Sequence, residues 1–410
     1  MRSFADTALA LALALATTAV GAEERCGPCH ATQRDPRLRG PAETLQDSVH
    51  AAPRVGCSGC HGGRPNEATT AAHDAAAGFI ARPDLATTAE RCGSCHADAR
   101  FIRRSNDALQ VDQLALFRAD AHGHAVADGR VRAPSCASCH GAHNIRHVSD
   151  PSSPVHPSNV AETCGHCHEG PSAVRGARPA EQPPSAWRTS VHGLARLEHG
   201  DTHAPTCASC HGAHGEYREA GGPDVRCGSC HRDEAEAFSR SPHAAPFARL
   251  GFSGCVQCHG SHGVGEAGGA LLGSGSGNVC SRCHDGAQKA IETATRLDAA
   301  RANALRAVDE ASDLMRRADR AGLSIPEAAR KLEEARSAQQ RLDVALHTLD
   351  ERAVNDVIRE VTTAANASQR AARRTLGLRD RQRSRWLPAV GLLLVVSALL
   401  ALRSRNGGER

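Results

Sequence analysis

The chain has 410 residues, a formal net charge of +4 and only 2% aromatic residues. A domain of this size normally fills much of its core with Phe, Tyr and Trp, so an ordinary aromatic core is excluded. The small positive charge gives no argument for a nucleic-acid partner.

The first 22 residues have the layout of a secretory signal peptide. Arg2 gives a short basic start, residues 7–20 are apolar, and residues 20–22 (Val-Gly-Ala) offer small side chains at a cleavage site. We therefore predict that residues 1–22 are a signal peptide and that the rest of the chain is exported.

Nine copies of Cys-x-x-Cys-His follow, and together they use all 18 cysteines. The two thiols reach the two vinyl groups of one haem and the histidine binds its iron, so this is the attachment signature of haem c. A zinc array would not fix a histidine after every second cysteine, and a disulfide framework would not use such short loops. The predicted attachment residues are, pair by pair, Cys26 and Cys29, Cys57 and Cys60, Cys92 and Cys95, Cys136 and Cys139, Cys164 and Cys167, Cys207 and Cys210, Cys227 and Cys230, Cys255 and Cys258, and Cys280 and Cys283.

The motifs predict nine covalently attached haem c groups, whose porphyrins supply the missing core volume. The negative charges of the haem propionates outweigh the formal positive charge of the chain. We therefore draw no prediction of nucleic-acid binding from the basic pI. The proximal iron ligands are the histidines that close the motifs: His30, His61, His96, His140, His168, His211, His231, His259 and His284.

The motifs form a repeat. Each of four repeats has an opening motif, a histidine in a Ser/Ala-x-His context, and a second motif followed by glycine and another histidine; Cys280 opens a fifth repeat that stops. Regular spacing of this kind indicates a linear array in which each repeat packs on its neighbours.

The recurring histidines are the candidate distal ligands. The Ser/Ala-x-His positions are His50, His122, His192 and His243; the histidines after the second motifs are His143, His214 and His262, and His73 fills that place in the first repeat. These eight candidates leave one haem of nine unsettled among His124, His147, His156, His199 and His203. His166, inside a motif, and His347, in the C-terminal part, are not expected to be ligands.

The haem region contains no methionine, because the chain has only Met1 and Met315. Histidine on both faces of an iron favours a lower potential than a histidine–methionine pair and leaves no open coordination position. The expected chemistry is one-electron transfer along a series of haems, and we assign no residue a catalytic role.

After residue 285 the composition changes. Residues 287–321 are rich in Ala, Arg, Leu and Asp and predict a helix that ends at Gly322, and Ser324 to Glu327 read as a capping box for the next helix. That helix is expected to extend to residue 376 with a break near Asp350, and to carry an apolar stripe. The stripe consists of Leu332, Ala335, Leu342, Leu346, Leu349 and Ala353.

Residues 386–402 are uncharged and long enough to cross a bilayer, with arginines on both sides and Pro388 at the expected helix start. The predicted organisation is a signal peptide (1–22), a nonahaem cytochrome c domain (23–285), a helical stalk (286–380), a transmembrane helix (386–402) and a cytoplasmic tail (403–410). The predicted fold class is mainly α and irregular: a multihaem array wrapped around nine haems, then a helical hairpin or stalk and one transmembrane helix.

The phrase WRTSVHG from Trp187, followed by CASCHGAH up to His214, resembles the repeat of periplasmic multihaem c-type cytochromes, in particular the decahaem type of respiratory and metal-reducing systems. This resemblance covers residues 26–284 and implies electron transfer, with the recurring histidines as distal ligands. The chain departs from that pattern in having nine motifs rather than ten and in adding a stalk and an anchor.

The C-terminal helices also resemble those of the hydroxylamine oxidoreductase and pentahaem nitrite reductase group. Those enzymes have an open catalytic haem, and their marks are a Cys-x-x-Cys-Lys motif or a tyrosine near the stalk. The sequence has no Cys-x-x-Cys-Lys motif, and its single tyrosine is Tyr217.

The expected function is to carry single electrons between a quinol-oxidising subunit of the inner membrane and periplasmic redox proteins in anaerobic respiration. The expected location is the periplasmic side of the bacterial inner membrane, held by a single-pass C-terminal anchor. The alternative is a multihaem reductase or oxidoreductase of a small nitrogen or sulfur compound, such as nitrite, hydroxylamine or tetrathionate, at one haem with an open position. The sequence leaves open whether the protein is an enzyme.

Overall fold

The computed structural model describes residues 24–53, 55–169, 182–215, 223–266, 269–272, 278–284 and 287–406. Within these ranges the chain is helical or irregular and has no strand, which confirms the mainly α class. The predicted signal peptide lies outside the described residues, as do the last four residues of the predicted tail.

Short helices dominate the region of the motifs. In chain order, α1 to α17 are Cys26–Ala31, Pro36–Thr44, Cys57–His61, Leu85–His96, Ala99–Ile102, Gln113–Ala119, Ala121–Ala127, Cys136–His140, Val160–His168, Pro183–Arg188, Val191–Leu197, Cys207–His211, Pro223–Gly228, Arg232–Ser239, Ala244–Leu250, Gly254–His259 and Gly269–Leu272. Short 3-10 helices span Leu45–Asp47, Thr70–His73, Ala75–Ala77 and Cys280–Arg282.

Capping residues divide this region into short helices. Asp84 begins α4 by accepting a hydrogen bond from the N–H of Thr87 at 2.7 Å. Asp120 ends α6 and caps α7 through the N–H of Gly123 at 2.7 Å. Each cap satisfies backbone donors locally, so the chain can turn often without burying unpaired N–H groups.

The chain divides into two compact regions. The first comprises the described parts of residues 1–218 together with residues 262–264, and it contains the first six motifs. The second comprises the described parts of residues 219–261 and 265–410, and it contains the last three motifs and the long C-terminal helices.

Three long helices follow the last motif: α18 (Gln288–Arg320), α19 (Pro326–Leu346) and α20 (Glu351–Asn406). They pack together around an apolar core in which Leu342, Val354 and Val361 are fully buried. The core is rich in alanine, which lets the helices approach closely. Two buried polar side chains tie α20 to its neighbours: Ser368 Oγ donates to Ala328 O at 2.7 Å, and Gln369 Nε2 donates to Ala307 O at 2.8 Å.

Two sequence expectations for these helices are wrong in detail. The capping box does not form, because α19 begins at Pro326 with Ile325 at the N-cap and without a side-chain cap. Leu349 does not join the apolar stripe; it is 41% exposed because α19 ends at Leu346 and the chain turns over residues 347–350. Val354 takes the next buried position, on α20.

Helix α20 runs without interruption through the predicted transmembrane segment, so Pro388 lies inside a helix and does not begin one. Proline is disfavoured there because it has no N–H for the ladder, but the apolar helix formers on both sides continue the helix. The segment is long and apolar enough to cross a membrane, and its large side chains are exposed, for example Leu392 and Leu394 at 67% each.

Candidate haem-binding sites

The Cys-x-x-Cys-His motifs lie in helical turns. Motifs such as those of α3, α8 and α12 coincide with a whole short helix, and the last begins with the 3-10 helix Cys280–Arg282. One turn of helix places residues i, i+3 and i+4 on one face, so both thiols and the imidazole of a motif point to the same side. All 18 cysteines are described and none forms a disulfide.

The two cysteines of a motif differ in exposure. The first cysteine is half-buried in every motif, whereas the second is exposed in six motifs and half-buried in three. The exposed second cysteines are Cys29, Cys60, Cys167, Cys210, Cys230 and Cys283, and the half-buried ones are Cys95, Cys139 and Cys258. In six motifs the protein therefore covers the second thiol less than the first. All the second cysteines stay predicted attachment residues, because the motif sequence predicts attachment.

A serine precedes the second cysteine in the two CGSCH motifs. Ser94 Oγ lies 4.0 Å from Cys95 Sγ, and Ser229 Oγ lies 3.9 Å from Cys230 Sγ. Both hydroxyls also donate to a backbone carbonyl three residues earlier, at 2.8 Å. The main contact of each serine is thus with its own helical turn, which it helps to close.

Carboxylates fix the N-termini of two motif helices. Glu24 accepts hydrogen bonds from the N–H groups of Cys57 and Ser58 at 2.7 and 2.6 Å. Asp224 accepts from the N–H groups of Gly254 and Cys255 at 2.6 and 3.0 Å. A carboxylate at a helix N-terminus satisfies orphan donors and complements the helix dipole. These contacts hold the first cysteine of each motif in place.

Two other motif helices are capped within their own sequence. Ser138 Oγ accepts from the N–H of Ser135 at 3.0 Å, and Ser209 Oγ accepts from the N–H of Thr206 at 3.0 Å. In both, the small residue between the two cysteines closes a capping box around the attachment turn. The serine of each CASCH motif therefore has a structural role of its own, in addition to the role of the cysteines in haem attachment.

Glycine follows the second motif of each repeat because the backbone turns sharply there. Gly62, Gly141, Gly212 and Gly260 have φ of 71°, 79°, 86° and 75°. Residues with side chains rarely adopt this region. At Gly62 a Cβ atom would also lie 2.2 Å from the carbonyl oxygen of Gly78. The turn redirects the chain immediately after the proximal histidine.

The structure places histidine rings in opposed pairs. In eight pairs a motif histidine faces a histidine from elsewhere in the chain, with ring centroids 5.7–6.1 Å apart. The pairs are His30–His73, His96–His50, His61–His143, His168–His122, His140–His214, His211–His262, His284–His243 and His259–His347.

These separations fit one iron between two imidazoles. Two metal–imidazole bonds of about 2 Å, with about 1.1 Å from each nitrogen to its ring centre, place the ring centres about 6.2 Å apart. In one pair the Nε2 atoms of His243 and His284 face each other at 3.4 Å, whereas two bonds of about 2 Å to an iron would place them about 4 Å apart, so this pair shows the orientation of a bis-histidine site with a shorter spacing. The residues present therefore fit bis-histidine haem.

Most pairs join neighbouring repeats, and they do so by two rules. The Ser/Ala-x-His histidine of one repeat faces the opening motif of the next, as His50 faces His96. The histidine after a second motif faces the second motif of the preceding repeat, as His143 faces His61. The first, second and fourth repeats therefore present an imidazole forward along the chain, and the second, third and fourth repeats present one backward.

The two ends of the array depart from these rules. His73, in a 3-10 helix, faces the first motif histidine, His30, within its own repeat. At the other end His347, which the sequence interpretation set aside, lies 5.9 Å from His259 with the two rings 24° from parallel.

A buried serine or aspartate lies two positions before His50, His122, His192 and His243. The residue two positions earlier is Ser48, Asp120, Ser190 or Ser241, and each is at most 7% exposed. Ser190 Oγ donates to Trp187 O at 2.7 Å and accepts from Gly193 N–H at 3.1 Å, so it fixes the first turn of α11. Sequence reasoning missed this role, although the repeated Ser or Asp before x-His was its signal.

His192 follows Ser190 at the start of α11, so it has the same local setting as the other forward-facing histidines. His231, the proximal histidine of the seventh motif, is the N-cap of α14. Both stay predicted ligands.

The five histidines left open by the sequence lie elsewhere. Among the described residues, none of them takes part in an opposed ring pair; they are His124, His147, His156, His199 and His203. Two have local partners: His147 Nδ1 lies 2.7 Å from Ser149 Oγ, and His203 is exposed beside Asp201. His166 is also exposed.

Burial favours the neutral form of several paired imidazoles. Removal from water lowers the pKa of His96, His140 and His168 below the ordinary value, and the paired ring lowers the pKa of His140 and His168 further. The neutral ring is the form that binds a metal. His61 is also oriented, because its Nδ1 lies 2.8 Å from the carbonyl oxygen of Ile80, which leaves Nε2 for the iron.

In three pairs of consecutive motifs, the first cysteine of one motif lies next to the first cysteine of the other. Within the first region the thiols of Cys92 and Cys136 form a hydrogen bond, which raises the pKa of Cys92 and lowers that of Cys136. Cys164 and Cys207 form a similar pair. Within the second region Cys227 and Cys255 do the same. Each of these three contacts joins the opening motif and the second motif of one repeat.

A zinc-type reading finds no support in the described part of the chain, which holds no group of three or more His, Cys, Asp or Glu residues arranged to bind a metal ion. Two opposed imidazoles would hold an iron whose remaining four ligands a porphyrin would supply.

The cytochrome c3 family model matches residues 198–285, which include the last four motifs. No curated protein and no solved structure matches the chain. The family match supports a multihaem c-type cytochrome that carries covalent haem c and transfers electrons.

Proposed function

We propose that this protein carries single electrons along nine covalently attached haem c groups, each with two axial histidines. The observation that carries the proposal is the set of opposed histidine rings at separations that fit an iron. Bound haem supplies a one-electron couple at its iron. The side chains fix its position, hold a neutral imidazole on each face and exclude water from the metal.

The order of the motifs supports a linear path. The thiols of the two motifs are in contact within three of the repeats, and opposed histidine rings join several neighbouring repeats. Haems tethered in this way are neighbours in series. The chain provides no methionine in this region, so its axial ligands favour low potentials.

The proposed location is the periplasmic face of the inner membrane. Covalent haem attachment takes place outside the cytoplasm, and the apolar exposed segment of α20 can serve as the anchor. The proposed partners are an inner-membrane quinol-oxidising subunit and periplasmic redox proteins in anaerobic respiration. One anchor helix offers a poor quinone pocket, which supports a separate subunit as the electron donor.

Two measurements on the purified protein test the proposal. Alkaline pyridine treatment should give nine haem c per chain, and electron paramagnetic resonance of the oxidised protein should show low-spin ferric signals. A colourless protein, or one with far fewer haems, would overturn the haem array. A strong high-spin ferric signal in the native protein would favour the enzymatic alternative, because it shows an iron with an open position.

A further inference from the structure

The repeat pattern leaves one proximal histidine without its expected partner. Under the second rule, His259 requires the histidine after the second motif of the next repeat. The fifth repeat has only its opening motif, Cys280–His284, and no second motif. Another residue must therefore face His259 if its haem is to have two imidazoles.

His347 occupies that position. It is the C-cap of α19, so it belongs to the three long helices and not to the motif region. Its ring centroid lies 5.9 Å from that of His259 at an angle of 24°. The other pairs at second motifs have separations of 5.8–6.1 Å and angles of 6–16°, so the His259–His347 pair has nearly the same geometry.

The imidazole of His347 is oriented as a ligand would be. Its Nδ1 lies 2.9 Å from the carbonyl oxygen of Asp343, one turn earlier in α19. A hydrogen bond from Nδ1–H to this oxygen leaves Nε2 with its lone pair, the arrangement that backbone carbonyls impose on metal-binding histidines. His61, a motif histidine, makes the equivalent contact with Ile80.

The turn that carries His347 is tightly fixed. Thr348 Oγ1 donates to Ala345 O at 2.7 Å, and Asp350 accepts from the N–H of Arg352 at 2.8 Å. Leu349 has φ of 51°, a left-handed conformation unusual for a leucine. Strain of this kind persists only where surrounding contacts enforce it, and it is often found beside functional residues.

Packing within the second region holds the two histidines together. Helix α14, which begins directly after the seventh motif, packs against α19. Phe238 of α14 lies so close to Gly254, the first residue of α16, that a Cβ there would be 2.2 Å from its ring. Helix α14 therefore contacts both the helix that ends at His259 and the helix that ends beside His347.

We propose that His347 is the distal axial ligand of the haem attached at Cys255 and Cys258. This rests on the proposed haem array. On this basis the three long helices are more than a spacer, since they close the end of the array by supplying the imidazole that the missing half-repeat cannot. His73 closes the other end in a comparable way.

The test compares His347→Ala with the matched control His166→Ala, which alters an exposed histidine outside any opposed pair. The His347→Ala protein should keep nine haems, but one haem of nine should become high-spin in the ferric state and bind carbon monoxide when reduced. Added imidazole should restore the low-spin spectrum. The control should remain fully low-spin.

A second variant covers the case in which His347→Ala does not fold. His347→Met keeps a ligand at the site, so all haems should stay low-spin while one haem of nine titrates at a higher potential. Nine low-spin haems with unchanged titration in both variants would overturn the assignment of His347 and leave the proposed function intact. A wild-type protein with far fewer than nine haems would instead overturn the proposed function.

Discussion

The imidazole of His143 lies nearly parallel to that of His61, at an angle of 12° and a centroid separation of 6.1 Å. The two residues belong to different repeats, and neither repeat contains a complete site for the haem at Cys57 and Cys60. The proposed haem site is therefore shared between two neighbouring repeats. This sharing explains why the repeats are regularly spaced in the sequence, although little of their chain forms regular secondary structure.

The ring angles predict two classes of low-spin haem. Pairs at second motifs have angles of 6–24°, the pairs of His30, His96 and His284 have angles of 81–85°, and the His122–His168 pair lies between these two classes at 54°. Parallel imidazole planes split the iron orbitals that perpendicular planes leave nearly equal, because each ring acts on the orbital facing it. Electron paramagnetic resonance of the oxidised protein should show both classes.

The variant His50→Met assigns one of these signals. It should remove one member of the perpendicular class, because His50 faces His96 at 81°. His147→Met is the matched control and should change neither class. A spectrum with a single rhombic class would contradict the ring geometry.

Replacing Gly62 by Ala should destabilise the first repeat. With φ of 71° and ψ of −152°, Gly62 has a backbone conformation that costs a residue with a side chain about 1–3 kcal/mol, and an added Cβ would lie 2.2 Å from the carbonyl oxygen of Gly78. Thermal unfolding of the haem-loaded protein should therefore begin at a lower temperature.

Gly260→Ala separates the two causes, since Gly260 has φ of 75° but no atom within 4 Å of a Cβ. It should cost only the backbone strain, and thus less than Gly62→Ala. Equal stability of Gly62→Ala and wild type would show that the turn is not as described.

The hydrogen bonds that Asp224 accepts at the N-terminus of α16 should weaken as the pH falls. Burial raises the pKa of this carboxyl, but hydrogen bonds from Ser253, Cys255 and Gly254 outweigh it, and the net pKa lies below the ordinary value. A lowered folded pKa means that the stabilisation is fully present above the unfolded pKa of about 3.9 and is lost as pH falls through the folded pKa.

Asp224→Asn should therefore cost about 1 kcal/mol of unfolding free energy at neutral pH, the usual value of a cap. The difference from wild type should shrink as the pH falls below about 4. Denaturant unfolding at several pH values measures both effects. Asp309→Asn, an exposed change on α18, is the control and should show neither. A constant difference at all pH values would exclude the charged cap.

Removal of residues 382–410 should release the protein from the membrane. The deleted part of α20 carries large exposed apolar side chains, including Leu393 at 65% and Leu400 at 61%, while the core of the three helices ends before it. The shortened protein should appear in the soluble periplasmic fraction with its full haem content. Retention in the membrane fraction after deletion would show that another surface holds it there.

The sequence by itself determined the attachment chemistry, the number of candidate haems and the helical nature of the C-terminal part. Covalent attachment depends on residues within five consecutive positions, so the Cys-x-x-Cys-His motif can be recognised from the sequence alone. The glycine after each second motif is also visible in the sequence, whereas the positive φ that explains it was shown by the structure.

Only the tertiary structure decided which histidine faces which motif histidine. An axial pair joins residues far apart in the chain, and a local pattern does not show that His50 reaches forward to His96 while His143 reaches back to His61. The same reason explains His347: it stands alone in sequence, after an ordinary helix, and only the packing of α14 on α19 brings it to His259.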